Sequence, residues 1–180
     1  MENINEMSIA DYVSRYNVFR QGDKIGSRFW IGPDKDEAMA YGKNHKQEIL
    51  AYLIEQEAAV QKVKDERQEK INAIPGLKEL TAAYDEMLNW REELHENIER
   101  GDSGVGIPPK PEHDFEALAK QYPRASAYLA ADTMCYASHD VKVAAGQEAK
   151  ERIINGDDPD EALAEANEKW ETYCREHMWD

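Results

Sequence analysis

The chain is expected to be mainly α-helical: a long helical hairpin and a C-terminal helical group, with a small N-terminal β-hairpin as a minor α+β part. Three observations lead there. Residues 45–73 contain neither Gly nor Pro, and Ile49, Leu53, Val60, Val63, Ile71 and Ile74 recur at helical spacing. Beyond Pro75-Gly76, the residues Leu77, Leu80, Tyr84, Met87, Leu94 and Ile98 repeat by threes and fours, close to a heptad seam that only Arg91 interrupts. Near the start, two β-prone runs flank Gly22-Asp23, the pattern of a tight hairpin.

Taken in order, Ser8 followed by Asp11 marks a helix start, with Ile9, Tyr12 and Val13 on one side. The hairpin pairs Asn17–Arg20 with a run from Ile25 to Ile31. Gly32-Pro33 then ends it, and Asp34 is placed to cap the next helix. Gly42 and Asn44 break that helix early. The helices on either side of Pro75-Gly76 are expected to pack antiparallel, each about 35–40 Å long at 1.5 Å per residue. Residues 101–113 hold three Gly and three Pro and form the clearest linker.

After the linker, Asp114 opens a short helix that Pro123 interrupts, and a longer helix is expected over 124–154, with a bend at Gly146. Asn155-Gly156 is a helix stop. Asp158-Pro159-Asp160-Glu161 is a helix start, with a cap, a first-turn proline and acids facing the positive end of the dipole. The organisation is therefore a helix and β-hairpin module over 1–44, a helical hairpin over 45–100, a linker over 101–113 and a C-terminal helical subdomain over 114–180.

Composition narrows the function classes. Of the 180 residues, 41% are apolar and 33% charged, a mixture that suits helices with much solvated surface. No apolar run approaches the ~20 residues that cross a bilayer, and the acidic N-terminus has no signal-peptide core. Two distant cysteines then read as reduced thiols, so a cytoplasmic location is expected. The net charge of −15 argues against direct nucleic-acid binding, which draws on Lys and Arg clusters. It favours instead the capture of a basic protein surface.

The acidity is concentrated late. Residues 121–180 carry 13 acids against 6 bases, and 157–180 alone carry 9 acids. In the last helix, Leu163, Ala166, Trp170, Tyr173 and His177 share one face, leaving Glu161, Glu165, Glu168 and Glu176 on the others. Carboxylates at this density can imitate a row of phosphates. The simpler alternative is a solvated amphipathic helix whose charge serves solubility. The expected partner-binding residues are Glu161, Glu165 and Glu168, with Asp157, Asp158 and Asp160 adding field at the helix start.

Signals for catalysis are weak, and no enzyme activity is expected. The run 101–106 lacks the Lys and following helix of a phosphate-cradling loop, and Ser103 sits in no nucleophile elbow. Asp132, Cys135 and His139 would line one helix face, with no visible oxyanion donor. One arrangement has metal-ligand chemistry. Cys135 precedes His139 by one turn and Cys174 precedes His177 likewise, so two packed helices would present a Cys2His2 zinc set. Buried cysteine is more often a small apolar filler, and no cofactor is expected.

Two resemblances follow. Residues 9–53, with helix, Asn17-Val18-Phe19 strand, Gly22-Asp23-Lys24 turn, second strand and the His45-Lys46-Gln47-Glu48-Ile49-Leu50 run, are similar to N-terminal docking domains of the TubC type. The polar Gly26-Ser27-Arg28 departs from the usual apolar alternation of that group. The likeness implies peptide capture by strand addition at the edge from Arg28 to Ile31. The whole chain, small, acidic, helical and without a catalytic motif, resembles the phage-encoded anti-CRISPR proteins that block Cas9. That resemblance implies binding to the guide-RNA-loaded effector through its basic DNA channel, so that target DNA is not cut. The alternative is a non-enzymatic adaptor working through the hairpin edge and the heptad seam, whose apolar row also makes a homodimer a natural cover.

Overall fold

The computed structural model describes residues 4–29, 34–99 and 107–177. Eight α-helices and one two-stranded antiparallel sheet make up the fold over these residues, so the expected class, mainly α with a small N-terminal β-hairpin, holds. No helix among the described residues is long and apolar enough to cross a membrane. The chain divides into two compact units, Met1–Glu66 and Arg67–Asp180. The division thus falls inside a helix and not at the Gly- and Pro-rich stretch 101–113.

In the first unit a 3-10 turn (Ile4–Glu6) leads to α1 (Ile9–Tyr16), β1 (Val18–Gln21), β2 (Lys24–Ser27), α2 (Lys35–Asn44) and the greater part of α3 (Lys46–Asn72). Ser8 caps α1 by accepting from the Asp11 amide at 3.1 Å, as its position predicts. Strand pairing runs from Val18↔Ser27 to Gln21↔Lys24, leaving a two-residue turn. Gly22 occupies it with φ +60, a conformation that costs a residue without Cβ little. The second strand is shorter than the expected run to Ile31. Ser27 ends it by turning its hydroxyl to the Tyr16 carbonyl and accepting from the Phe29 amide. Of the expected binding edge, Arg28 and Phe29 lie past the strand, and Trp30 and Ile31 fall outside the described residues.

The core of this unit is Ile4, Tyr12, Tyr16, Val18, Ala38, Tyr41, Ile49 and Leu53. Three tyrosines fill it because each phenol finds an acceptor at the margin. Tyr12 donates to the Ala38 carbonyl, Tyr41 to the Met7 carbonyl and Tyr16 to the Asp34 carboxylate, each at 2.7 Å. Asp34 stands at the N-cap of α2 as expected, yet its side chain makes no cap bond there. Tyr16 has claimed it instead.

The second unit holds the end of α3, then α4 (Leu77–Glu99), α5 (Phe115–Gln121), α6 (Pro123–Met134), α7 (Asp140–Asn155) and α8 (Pro159–His177). The Pro75-Gly76 break is where the sequence puts it. Gly76 has φ +72, and a Cβ there would lie 2.1 Å from Cγ of Tyr122, so the turn needs glycine for conformation and for room. The antiparallel pairing expected over 45–100 is not what α4 uses within this unit. Its neighbours are α5 and α6, because Leu77 and Leu80 turn into the core of the helical group. Farther along, Tyr84 meets Phe115 with ring centroids 5.5 Å apart. Trp90 donates to the Pro108 carbonyl at 3.0 Å, and the Glu86 carboxylate holds His113. The described part of the expected linker, 107–113, is therefore strapped along α4.

The single helix expected over 124–154 is two helices. The amides of Cys135, Tyr136 and Ala137 each bond three residues back, a tightened 3-10 finish that ends α6. His139 then caps α7, its Nδ1 accepting from the Val141 amide at 3.3 Å. Gly146 makes no bend at the break. It is buried within α7, facing the Ala131 carbonyl of α6. α6, α7 and α8 pack closely through Ala125, Ala127, Ala131, Ala145, Ala149, Ala162 and Ala166, whose small side chains let the backbones approach.

Candidate functional site

The candidate site is the exposed side of α8 with the turn before it. Gly156 ends α7, and its amide, with that of Asp157, returns to the last carbonyls of the helix. Asp158 opens α8, its Oδ1 accepting from the amides of Asp160 and Glu161 at 3.0 Å each. Arg124 spans the corner from α6, donating to the carbonyls of Ile153 at 2.7 Å and Asp157 at 2.9 Å. The site therefore has a firm base.

The six expected carboxylates divide by partner. Arg152 takes two of them, Asp157 at 2.9 Å and Glu165 at 2.6 Å, and these contacts raise its own pKa, the Asp157 bond most. Asp158 is spent on the cap. Asp160, Glu161 and Glu168 are exposed, and among the described residues none of the three has an ion-pair partner. The neighbouring Lys169 pairs with Glu148 at 2.6 Å, and its contact holds that carboxyl below the usual range. Open negative charge on the exposed side of α8 thus comes from Asp160, Glu161, Glu168, Glu171 and Glu176.

An open groove of about 560 Å³ runs along α8 between Glu165, Glu168 and Glu176, with Val141, Thr172 and Tyr173 among its lining. Behind it lies a run of rings. Tyr173 stacks on His177 with centroids 4.4 Å apart and packs against His139 at 4.5 Å and Trp170 at 6.0 Å. The three-and-four spacing of the last helix puts Tyr173 on the face away from the carboxylates, whereas in the structure it lines the groove beside them. The spacing did not foretell Val141, which α7 contributes across the interface, or Arg152, which partly neutralises the groove.

The same rings decide the fate of the zinc set. Cys135 and His139 do not share a helix, being the C-cap of α6 and the N-cap of α7. The Cys135 thiol donates to the Ala131 carbonyl at 3.4 Å, and His177 donates from Nδ1 to the Tyr173 carbonyl at 3.1 Å. Cys174 is a half-buried free thiol on α8. Among the described residues no three His, Cys, Asp or Glu converge as a metal site. The Asp132–Cys135–His139 row is dispersed in the same way. Asp132 pairs with Lys150, whose ammonium also lies 5.2 Å from the Tyr128 ring centroid. Burial, more than any neighbour, pushes the Cys135 thiol up, away from the thiolate that nucleophilic chemistry requires.

No protein-family model, curated protein or solved structure matches this chain.

Proposed function

We propose that this protein binds a basic protein surface through the outer side of α8 and thereby inhibits a nucleic-acid-binding effector. The specific candidate is a guide-RNA-loaded CRISPR nuclease such as Cas9, and the setting is the cytoplasm. The observation that carries the reading is the α8 groove, where the open carboxylates of Glu168 and Glu176 border a floor that includes Val141 and Tyr173, beside Glu165 and Lys169, which are already paired with Arg152 and Glu148. Such a groove offers a lysine or arginine both an apolar surface for its stem and carboxylates for its head. Asp160 and Glu161 extend the field toward the helix start, and the net charge of −15 speeds encounter with a basic patch.

The test measures target-DNA binding and cleavage by guide-loaded Cas9 with and without the protein, at low and high salt. Inhibition that fades as salt rises, and that is lost in the triple variant Glu161→Lys/Glu168→Lys/Glu176→Lys, is the expected result. Inhibition equal in the variant removes the α8 surface from the mechanism. No inhibition at either salt removes the CRISPR nuclease as target.

A second reading is an adaptor or homodimer that buries apolar positions on its long helices. It rests on the exposure of Val60 and Val63 on α3 and of Leu88 and Ile98 on α4. Association through such positions is insensitive to salt, so the same pair of salt conditions separates the two readings.

A further inference from the structure

A second pocket has the opposite charge. It lies in the first unit, encloses about 250 Å³, and is lined by Lys24 and Ile25 of β2, Met39, Gly42 and Lys43 of α2, and Lys46 of α3. Its apolar part is Ile25 and Met39, with Gly42 contributing only backbone. Three exposed lysines line it. Elsewhere in the unit Arg20 pairs with Glu57, Arg15 with Asp34 and Lys62 with Glu66, while Arg28, Lys35 and Lys64, like the pocket lysines, have no ion-pair partner among the described residues. Among the described residues Lys24, Lys43 and Lys46 have no carboxylate partner. In a chain with 37 acids and 22 Lys and Arg, three such lysines around one apolar pocket are a local reversal of sign.

We infer that this pocket docks an acidic peptide segment of another protein, one apolar side chain seated against Ile25 and Met39 and flanking carboxylates paired with Lys24, Lys43 and Lys46. Size selects the occupant. Pockets for whole small molecules run about 300–1,000 Å³, so this volume suits a single anchoring side chain better. Charge selects it again, because three lysines around an apolar floor complement an anchor flanked by Asp or Glu. The overall negative charge does not forbid this. At physiological salt the screening length is about 8 Å, so the nearest groups decide what the peptide meets. A long nucleic acid is disfavoured, since three lysines at one pocket give its phosphate backbone few charge contacts. The pocket is independent of the α8 surface, and together they would give the protein one site for each sign of charge.

The experiment titrates isotope-labelled full-length protein with a blocked peptide of Asp and Glu around one central Leu, followed by amide chemical shifts. A second peptide carries Ser in place of Leu. The expected result is saturable shifts centred on Lys24, Ile25, Met39, Gly42, Lys43 and Lys46, with the Ser peptide binding about tenfold or more weakly. The variant Lys43→Glu/Lys46→Glu should lose binding, while Lys62→Glu/Lys64→Glu, which changes net charge equally, should keep it. Unchanged far-ultraviolet dichroism and melting temperature show that both variants fold. Equal loss in the two variants, equal binding of the two peptides, or no localised shift overturns the inference. So does binding of phosphatidylserine vesicles in place of the peptide.

Discussion

Gly146 of α7 sits so near Ala131 of α6 that a Cβ added to it would lie 2.7 Å from the Ala131 carbonyl oxygen and equally close to Cβ of Met134. Neither atom is the far end of a flexible side chain, so the helices would have to separate. Alanine favours a helix over glycine by about 1 kcal/mol. Overpacking a closed interface costs about 1–3 kcal/mol and is expected to win here. Gly146→Ala should therefore lower the denaturation midpoint, measured by urea unfolding followed by circular dichroism. A higher midpoint would show that α6 and α7 are not held this close.

The base of the α8 face depends on two polar contacts with different costs. Asp158→Ala removes a side-chain cap and should cost about 1 kcal/mol, within the usual range for such caps. Arg124→Met removes charged hydrogen bonds to the Ile153 and Asp157 carbonyls and should cost about 1.5–3 kcal/mol. Chemical denaturation of the two variants checks the order. Arg124→Met costing less than Asp158→Ala would mean that water replaces the guanidinium at the corner.

Tyr16 and Asp34 form a linked pair in the first unit. Burial and then the Asp34 bond push the Tyr16 phenol up to about 12, while the same bond draws the Asp34 carboxyl below its ordinary value. The two signs differ. The Tyr16 contribution is complete below the unfolded phenol range and is lost as pH rises through about 12. The Asp34 contribution is present above the unfolded carboxyl value and is lost as pH falls through the depressed one. Tyr16→Phe should cost about 1 kcal/mol at neutral pH. In a phenol absorbance titration it should also remove one late-ionising tyrosine, and an unchanged late phase would refute the assignment.

The strap along α4 carries its own pH dependence. His113 approaches both oxygens of Glu86 with Nδ1, at 3.0 and 3.1 Å, and that bond raises the His113 pKa above its ordinary value. A raised histidine stabilises the attachment at low pH, and the effect is lost as pH rises through the shifted value. Nuclear magnetic resonance titration of the His113 ring should show a midpoint that falls back in Glu86→Gln. A midpoint equal in both proteins would mean that Trp90 and Pro108 hold the strap without it.

Much of the fold was legible because local chemistry fixed it. Ser8, Asp114 and Asp158 cap helices where the sequence places them, Gly156 ends one, and Gly22-Asp23 closes the hairpin. The break at 135–139 was not legible, since it contains neither Gly nor Pro. It rests on 3-10 bonding and on the His139 ring, which reads as a metal ligand until its hydrogen bond to Val141 is known. The groove beside α8 was half legible. Helical spacing separates its carboxylates from the apolar face, but spacing on one helix says nothing of what the next helix contributes.

The sequence by itself determined most helix starts and stops and the hairpin turn, though not the break between α6 and α7 or the end of β2, and that negative charge gathers toward α8. Those features depend on caps, turns and periodicity, which act over a few residues. Only the tertiary structure decided which charges stay open. Arg152 neutralises Glu165 from another helix, thirteen positions earlier, while Glu168 is left in the groove. It likewise decided that Lys24, Lys43 and Lys46, spread over three elements, meet around one pocket. Electrostatic pairing depends on distance through space, and that distance is set by packing between elements.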